Sequence, residues 1–390
     1  MIIKNVKVFT EEKKFTEGGI AICDGRFEEP SQVPQDADGE IIDGKGCYAI
    51  PGLIDIHFHG CMGYDFCDGT TEAIAEIAKY EASVGVTGIA PATMTLPVKE
   101  LEQVLSVGAS YKKAALQKKM QGADLLGINM EGPFISAEKK GAQDGRNIIS
   151  CNLEICQQFL DASEGLVKFI GIAPEKNKNA LQVIQGIKHK VNISLAHTNA
   201  DYDTAKAAFD AGANHAVHLY NAMPAFTHRM PGVVGAVADS PHVNAELICD
   251  GVHIHPAVVR ATFRMMGEDR MILISDSMRA TGMPDGRYLL GGLEVEVKGK
   301  RATLVSNGAL AGSATNLMDC MRTAVKKMGI PLETAVACAT INPAKALGED
   351  KKYGSIAPGK KANLVLLDSD LNLKMVLKDG KRVMGNCKAQ

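Results

Sequence analysis

Pro51-Gly52-Leu53-Ile54-Asp55-Ile56-His57-Phe58-His59-Gly60 is an apolar run that ends in two histidines separated by one residue. Alternate residues of a strand face the same side, so this spacing lets His57 and His59 converge on one point. Imidazole is the commonest protein ligand for metals such as zinc, and two of them at the end of a buried strand make half a site. The tripeptide alone also fits an ordinary strand with polar residues at its exit. A metal reading therefore needs further ligands, and a fold that carries them here.

Working outward, strand-like apolar runs alternate with helical patterns, the signature of βα units and a parallel sheet. Eight such runs stand out: Leu53 to Gly60, Gly88 to Thr93, Leu125 to Glu131, Phe169 to Pro174, Ile193 to His197, Ala216 to Asn221, Ala245 to Asp250 and Met271 to Asp276. Helical patterns are clearest at Thr71 to Ser83, Val98 to Lys118, Ala180 to His189, Asp201 to Ala211 and Pro256 to Met266. Eight units predict a closed (β/α)8 barrel of TIM type, with an open doubly wound sheet as the alternative. In a barrel all strand C-termini share one face. There Glu131, His197, His218 and Asp276 would join His57 and His59, giving four imidazoles and two carboxylates. That donor set suits one or two divalent cations, with water or substrate at the open positions. A single buried histidine is more often a hydrogen-bonded structural residue than a ligand, and Glu131 or Asp276 alone could cap a strand. Five strand ends carrying such groups together favour the metal. Within run six, His215 and His218 are three apart and face opposite sides of a strand, and the later one lies nearer the active face. His189 reads as solvated; His228, His242 and His255 sit in loops with no assigned role.

The ends of the chain have a different texture. Ile2 to Phe9 and Gly19 to Cys23 alternate between Gly, Pro and Asp clusters, and Ala362 to Asp368, Leu373 to Leu377 and Val383 repeat the pattern around a Lys378-Asp379-Gly380-Lys381 turn. The two ends are expected to pair into a small β-sandwich domain, residues 1–50 and 356–390, leaving 51–355 to the barrel. At 390 residues, 46% hydrophobic and 23% charged, the chain can bury a large core. A net charge of −2 without a long basic run argues against nucleic acid as a partner. No signal-peptide layout and no run long enough to span a bilayer is present, so a cytoplasmic location is expected and a membrane partner is not. The ten cysteines form no Cys-x-x-Cys pair and read as unpaired thiols.

His57-Phe58-His59, Glu131-Gly132-Pro133, Ala196-His197-Thr198, His218-Leu219-Tyr220-Asn221-Ala222-Met223, Asp250-Gly251-Val252-His253 and Ile274-Ser275-Asp276-Ser277 together resemble the N-acetylglucosamine-6-phosphate deacetylases of the amidohydrolase superfamily. The segment from Gly354 to Val365 is similar to the superfamily's closing signature, with Asn363 where Asp is usual. The resemblance covers nearly the whole chain. It implies hydrolysis of the acetamide of N-acetyl-D-glucosamine 6-phosphate to D-glucosamine 6-phosphate and acetate by a homodimer. Glu131, His197 and His218 would be the metal ligands, and His57 and His59 would supply a second position. Zinc is the first expectation, with iron, cobalt or manganese as alternatives. A metal-bound water, acidified toward ~7, would attack the carbonyl carbon, with Asp276 as general base and then acid.

For the phosphorylated sugar, the resemblance implies contacts from Asn221, Ala222, His253 and Arg229, whose planar fork suits a phosphate. Leu310-Ala311-Gly312 is similar to a segment that closes over the sugar. In Lys140-Gly141-Ala142-Gln143, Ala142 and Gln143 would face the acetyl group. Gln143 stands where many members have a histidine, and an amide donates a hydrogen bond but carries no proton, which makes that role electrostatic only. A dihydroorotase- or hydantoinase-like enzyme, acting on cyclic amides, would be expected to carry a modified lysine at the fourth strand end, where Ile172-Ala173-Pro174-Glu175 offers none. A non-catalytic scaffold of the same fold would be expected to have lost ligands, and all six are present.

Overall fold

The computed structural model describes residues 1–29, 40–118 and 122–384. Its centre is a ring of parallel strands with helices outside. The first strand is Leu53–Asp55, and the second comes in two pieces, Val86–Ile89 and Ala92–Thr93. The third also has two pieces, Asp124–Leu125 and Ile128–Phe134. Strands four to eight are Val167–Ile172, Asn192–Leu195, His215–Ala216, Asn244–Ile248 and Met271–Ile274. Strands three to eight pair in sequence order and in parallel; the first piece of strand two, Val86–Ile89, lies between strand one and the first piece of strand three, and the second pieces of strands two and three pair with each other. The ring closes between strands eight and one, where the Asp276 N–H donates to His57 O at 2.9 Å and the His59 N–H to Ser277 O at 2.7 Å. The expected (β/α)8 barrel is therefore present, and its closing seam runs through three candidate site residues.

The helices form where capping and an apolar stripe coincide. Thr70 accepts from the Ala73 N–H ahead of Thr71–Ser83, and Asp201 accepts from the Thr204 N–H ahead of Tyr202–Ala211. His255, without an assigned role in the sequence, caps Pro256–Met266, with proline at its start. In Thr71–Ser83 the buried stripe is Ala73, Ile74, Ile77, Ala78, Glu81 and Ala82, at helical spacing but with one carboxyl in it. The sixth strand is far shorter than the run suggested. His218 lies beyond it, in a turn rather than on a strand face, and the opposite-face argument for choosing it over His215 does not apply.

Both chain ends build one eight-stranded sheet. Lys381–Met384, Leu373–Lys378 and Leu364–Leu367 continue through Tyr48–Pro51 to Ile2–Phe9, Phe15–Cys23 and Arg26–Glu28, with Ile41–Asp43 beside Ile2–Phe9. The sandwich expected from the ends takes the form of this single sheet, with a core of its own made by Ile3, Val6, Ile20, Phe27, Ile42, Leu364, Leu366 and Met375. Residues of the opposite face, among them Ile50, Val365 and Val376, pack into the barrel's main core. Of the expected end segments, 30–39 and 385–390 lie outside the described residues.

One element was absent from the sequence reading. After strand eight the chain makes a three-stranded antiparallel sheet, Gly286–Leu290, Leu293–Lys298 and Arg301–Leu304, before three further helices at Leu317–Lys326, Leu332–Ala339 and Ile341–Leu347. This sheet buries Leu290, Val295, Val297 and Leu304 with Met94, Ala142, Met278 and Ala311, on the face where the site residues gather.

Candidate active site

The six expected ligands meet at the C-terminal ends of the barrel strands, and all are buried. Glu131 is at the centre. Its Oε1 is 3.0 Å from His197 Nε2, 2.9 Å from His218 Nε2 and 3.3 Å from His57 Nε2. Its Oε2 is 3.4 Å from His59 Nε2, and His59 Nε2 is 3.4 Å from Asp276 Oδ1. His197 Nε2 and His218 Nε2 are 3.2 Å apart. Two combinations converge within one coordination sphere, His57 with Glu131 and His218, and His57 with His59 and Asp276. Three of the six have left-handed backbones, His197 at φ 43°, His218 at φ 27° and Asp276 at φ 49°. Each lies two residues beyond the end of its strand. Such conformations cost about 1–3 kcal/mol apiece and persist where surrounding packing dictates them.

The rings are oriented from behind. His197 Nδ1 lies 2.8 Å from Lys139 O, and His218 Nδ1 lies 3.1 Å from Asn221 O. His57 Nδ1 lies 2.8 Å from Glu246 Oε2, a carboxylate on the seventh strand that the sequence reading did not single out. Glu246 also reaches His215, whose Nε2 is 2.8 Å from Oε1. Burial opposes a charge on Glu246, but His57 and His215 outweigh it and hold the carboxyl well below its ordinary range. Glu131 and Asp276 behave alike: burial raises them, and neighbouring imidazoles more than reverse the shift. Burial likewise works against a charge on His59, yet Asp276 and Glu131 lift its imidazole to about 10. The carboxylates thus create a strong demand for positive charge.

A cavity of about 390 Å³ opens above this cluster. Of the predicted substrate residues, Ala142, Gln143, Asn221, Ala222, His253, Leu310 and Gly312 line it, together with Met94, Leu290 and Lys139, which the sequence reading left out. Ala311 lies behind the wall, fully buried in the small sheet's core. Gly312 has φ +61°, and a Cβ there would stand 3.1 Å from Asp276 O, so the close approach requires glycine. Gln143 Nε2 donates to Glu131 Oε2 at 2.6 Å, and its Oε1 accepts from the Thr95 N–H at 2.6 Å. His253 Nδ1 is 2.8 Å from Asp250 Oδ2. Burial opposes protonation of His253, but the bond to Asp250 raises its imidazole above the ordinary value, which suits contact with an anion. Arg229 is not among the lining residues. It stands exposed on the loop before Gly232–Ala238, near exposed Phe226 and Met230.

The donor set fits a divalent cation. Ligand atoms on one tetrahedral ion at ~2.1 Å stand roughly 3.4 Å apart, close to the separations around Glu131. Among the described residues, the buried His57 Nε2 has no hydrogen-bond partner although it faces two carboxylates. A closed barrel with imidazoles and carboxylates gathered at its strand C-termini defines a metal-dependent hydrolase. The chain belongs to the amidohydrolase family, whose model matches residues 48–383. It is 37% identical to an N-acetylglucosamine-6-phosphate deacetylase of Vibrio furnissii over 86% of this chain and 82% of that protein. It is 33% identical to an N-acetylgalactosamine-6-phosphate deacetylase of Escherichia coli O157:H7 over 97% of this chain and 98% of that one. Among solved structures, a deacetylase variant from Mycobacterium smegmatis in complex with N-acetyl-D-glucosamine-6-phosphate superposes with a TM-score of 0.89 at 32% identity, covering 98% of this chain and 99% of that one.

Proposed function

We propose that this chain hydrolyses the acetamide of N-acetyl-D-glucosamine 6-phosphate, releasing acetate and D-glucosamine 6-phosphate. The observation that carries the reading is the intact six-group cluster at the floor of a sugar-sized cavity, in a chain similar over nearly its full length to deacetylases of phosphorylated amino sugars. Glu131, His197 and His218 would hold one cation, and His57 and His59 would supply a second position beside Asp276; zinc is expected, with iron, cobalt or manganese as alternatives. A bound divalent cation supplies Lewis acidity, polarising the acetyl carbonyl and lowering the pKa of water toward ~7.

The chain's own residues supply the rest. Asp276 takes the proton of the attacking water and returns it to the departing amine as the C–N bond breaks. Gln143 cannot carry a proton. Its amide holds Glu131 in place and contributes a dipole beside the acetyl group. His253 and the Asn221–Ala222 turn receive the phosphate end. Arg229 joins them only if its exposed loop closes on the cavity or, in the homodimer we propose, if that loop reaches the neighbouring copy's cavity. The N-acetylgalactosamine relative favours a second reading in which the C4 epimer is also accepted.

Among the described residues no helix is long and apolar enough to cross a membrane, which accords with the cytoplasmic location we propose. The test is acetate and free-amine release from both epimers by the purified protein, before and after stripping with a chelator and readdition of Zn²⁺, Fe²⁺, Co²⁺ or Mn²⁺. A stripped protein that no divalent ion activates would overturn the reading.

A further inference from the structure

Glu246 has no part in the reaction above, yet its carboxylate lies directly under the cluster. It is fully buried in the middle of the seventh strand. Its Oε2 lies 2.8 Å from His57 Nδ1 and accepts the His218 backbone N–H at 3.1 Å. Its Oε1 lies 2.8 Å from His215 Nε2 and 3.5 Å from Asn129 Nδ2, and that amide also donates to Ile56 O at 3.0 Å. Every contact of the carboxylate thus leads to a candidate ligand or to the strand end that carries one.

We propose that Glu246 is a positioning residue that selectively sets the affinity of the cation position built on His57 and His59. The proposal rests on the metal reading of the cluster. An imidazole whose Nδ1 faces a carboxylate carries its proton there and presents a bare lone pair at Nε2. In His57 that Nε2 points to Glu131 Oε1, 3.3 Å away. A charged acceptor raises the ring's basicity more than a neutral one does. His197 and His218 lean on the backbone carbonyls of Lys139 and Asn221, and His59 Nδ1 has no hydrogen-bond partner among the described residues. The His57 ring therefore leans on a buried negative charge where the His197 and His218 rings lean on backbone carbonyls, and Glu246 meets His218 only at its backbone N–H. The plainer alternative is that Glu246 forms a structural ion pair with His215, and the test separates the two.

Stripped wild type and Glu246→Gln are titrated with Co²⁺ against a chromophoric chelator, with the Co²⁺ absorption spectrum followed in parallel. Gln keeps the size and one acceptor but removes the charge. The wild type should bind two ions. In the variant the weaker of the two dissociation constants should rise by about 10–100-fold, with the tighter one unchanged and the second ion's absorption lost. The double variant His215→Gln/Glu246→Gln replaces the buried pair by two neutral amides, guards against a folding defect from one uncompensated charge, and should lose the same ion. Wild-type affinity at both positions in these variants would overturn the proposal. Equal weakening at both would do so too, assigning Glu246 to the cluster as a whole. A wild type that binds one ion sinks this inference alone, whereas one that binds none sinks the metal reading itself.

Discussion

The two sides of the ligand cluster use the same kinds of donor but are held differently. On one side His197 and His218 converge on Glu131 Oε1 from strand ends five, six and three, and their rings rest against backbone carbonyls. On the other, His57 and His59 meet Asp276 across the seam that closes the barrel; His57 rests on a buried carboxylate, and His59 Nδ1 has no hydrogen-bond partner among the described residues. Glu131 touches both. Donor identity alone therefore does not grade the two positions; the groups behind the donors do.

The change that should break this comparison most completely is Glu131→Gln, which removes the shared ligand. Both ions should be lost and kcat should fall by about 10³-fold or more, the scale of a catalytic cation's contribution; elemental analysis and steady-state kinetics check it together. Asp276→Asn probes the proton rather than the cation. Loss of general acid–base catalysis predicts a fall in kcat of about 10²–10⁴-fold, with the ion on the Glu131 side still bound. Near-normal turnover in that variant would remove Asp276 from its role. A His59→Gln and His197→Gln pair sharpens the contrast: His59→Gln should drop the stoichiometry from two ions toward one and cost at least about tenfold less in kcat than His197→Gln, which takes a ligand from the backbone-braced side. Arg229→Ala leaves the cluster untouched. It should raise KM for the phosphorylated sugar by about tenfold with little change in kcat, and an unchanged KM would refute the phosphate role.

How much of this was legible in the sequence follows from what each signal encodes. Alternation at His57 and His59 and the repeated apolar runs specify the barrel, because buried parallel strands and amphipathic helices leave local patterns. Strand-end polar residues pointed to the six clustered groups for the same reason. Glu246 escaped, since one acid inside Asn244-Ala245-Glu246-Leu247-Ile248 has no local partner; its imidazoles come from strands one and six. The signal was still there: a charge in the middle of a fully buried strand has to be paired. The small sheet at Gly286 to Leu304 has a cue as well, in the Gly291-Gly292 pair, a hairpin signature whose φ values are 55° and 81°. Where Arg229 sits relative to the cavity depends on loop geometry, which residue order does not carry.

A second buried carboxyl marks the other limit of the comparison. Glu246 is flanked by two imidazoles, whereas Glu81 is equally buried, on the core face of Thr71–Ser83, and neither of its oxygens has a hydrogen-bond partner among the described residues. Burial, with Asp55 adding to it, raises its pKa well above the ordinary 4.5. The sign of the consequence is fixed by linkage: the folded chain keeps a proton that the unfolded chain releases, so stability falls as pH rises through the unfolded value near 4.5 and goes on falling until the folded pKa is reached. Glu81→Met replaces the carboxyl by an apolar group of similar length. It should stabilise the fold by about 1–3 kcal/mol at pH 8, the cost of an unpaired buried polar group, and by less near pH 4, while turnover is unchanged because Glu81 touches no site residue. Denaturant unfolding at the two pH values checks this. An equal gain at both would mean that the carboxyl is not titrating in this range, and a loss would mean that it has a partner in solution after all.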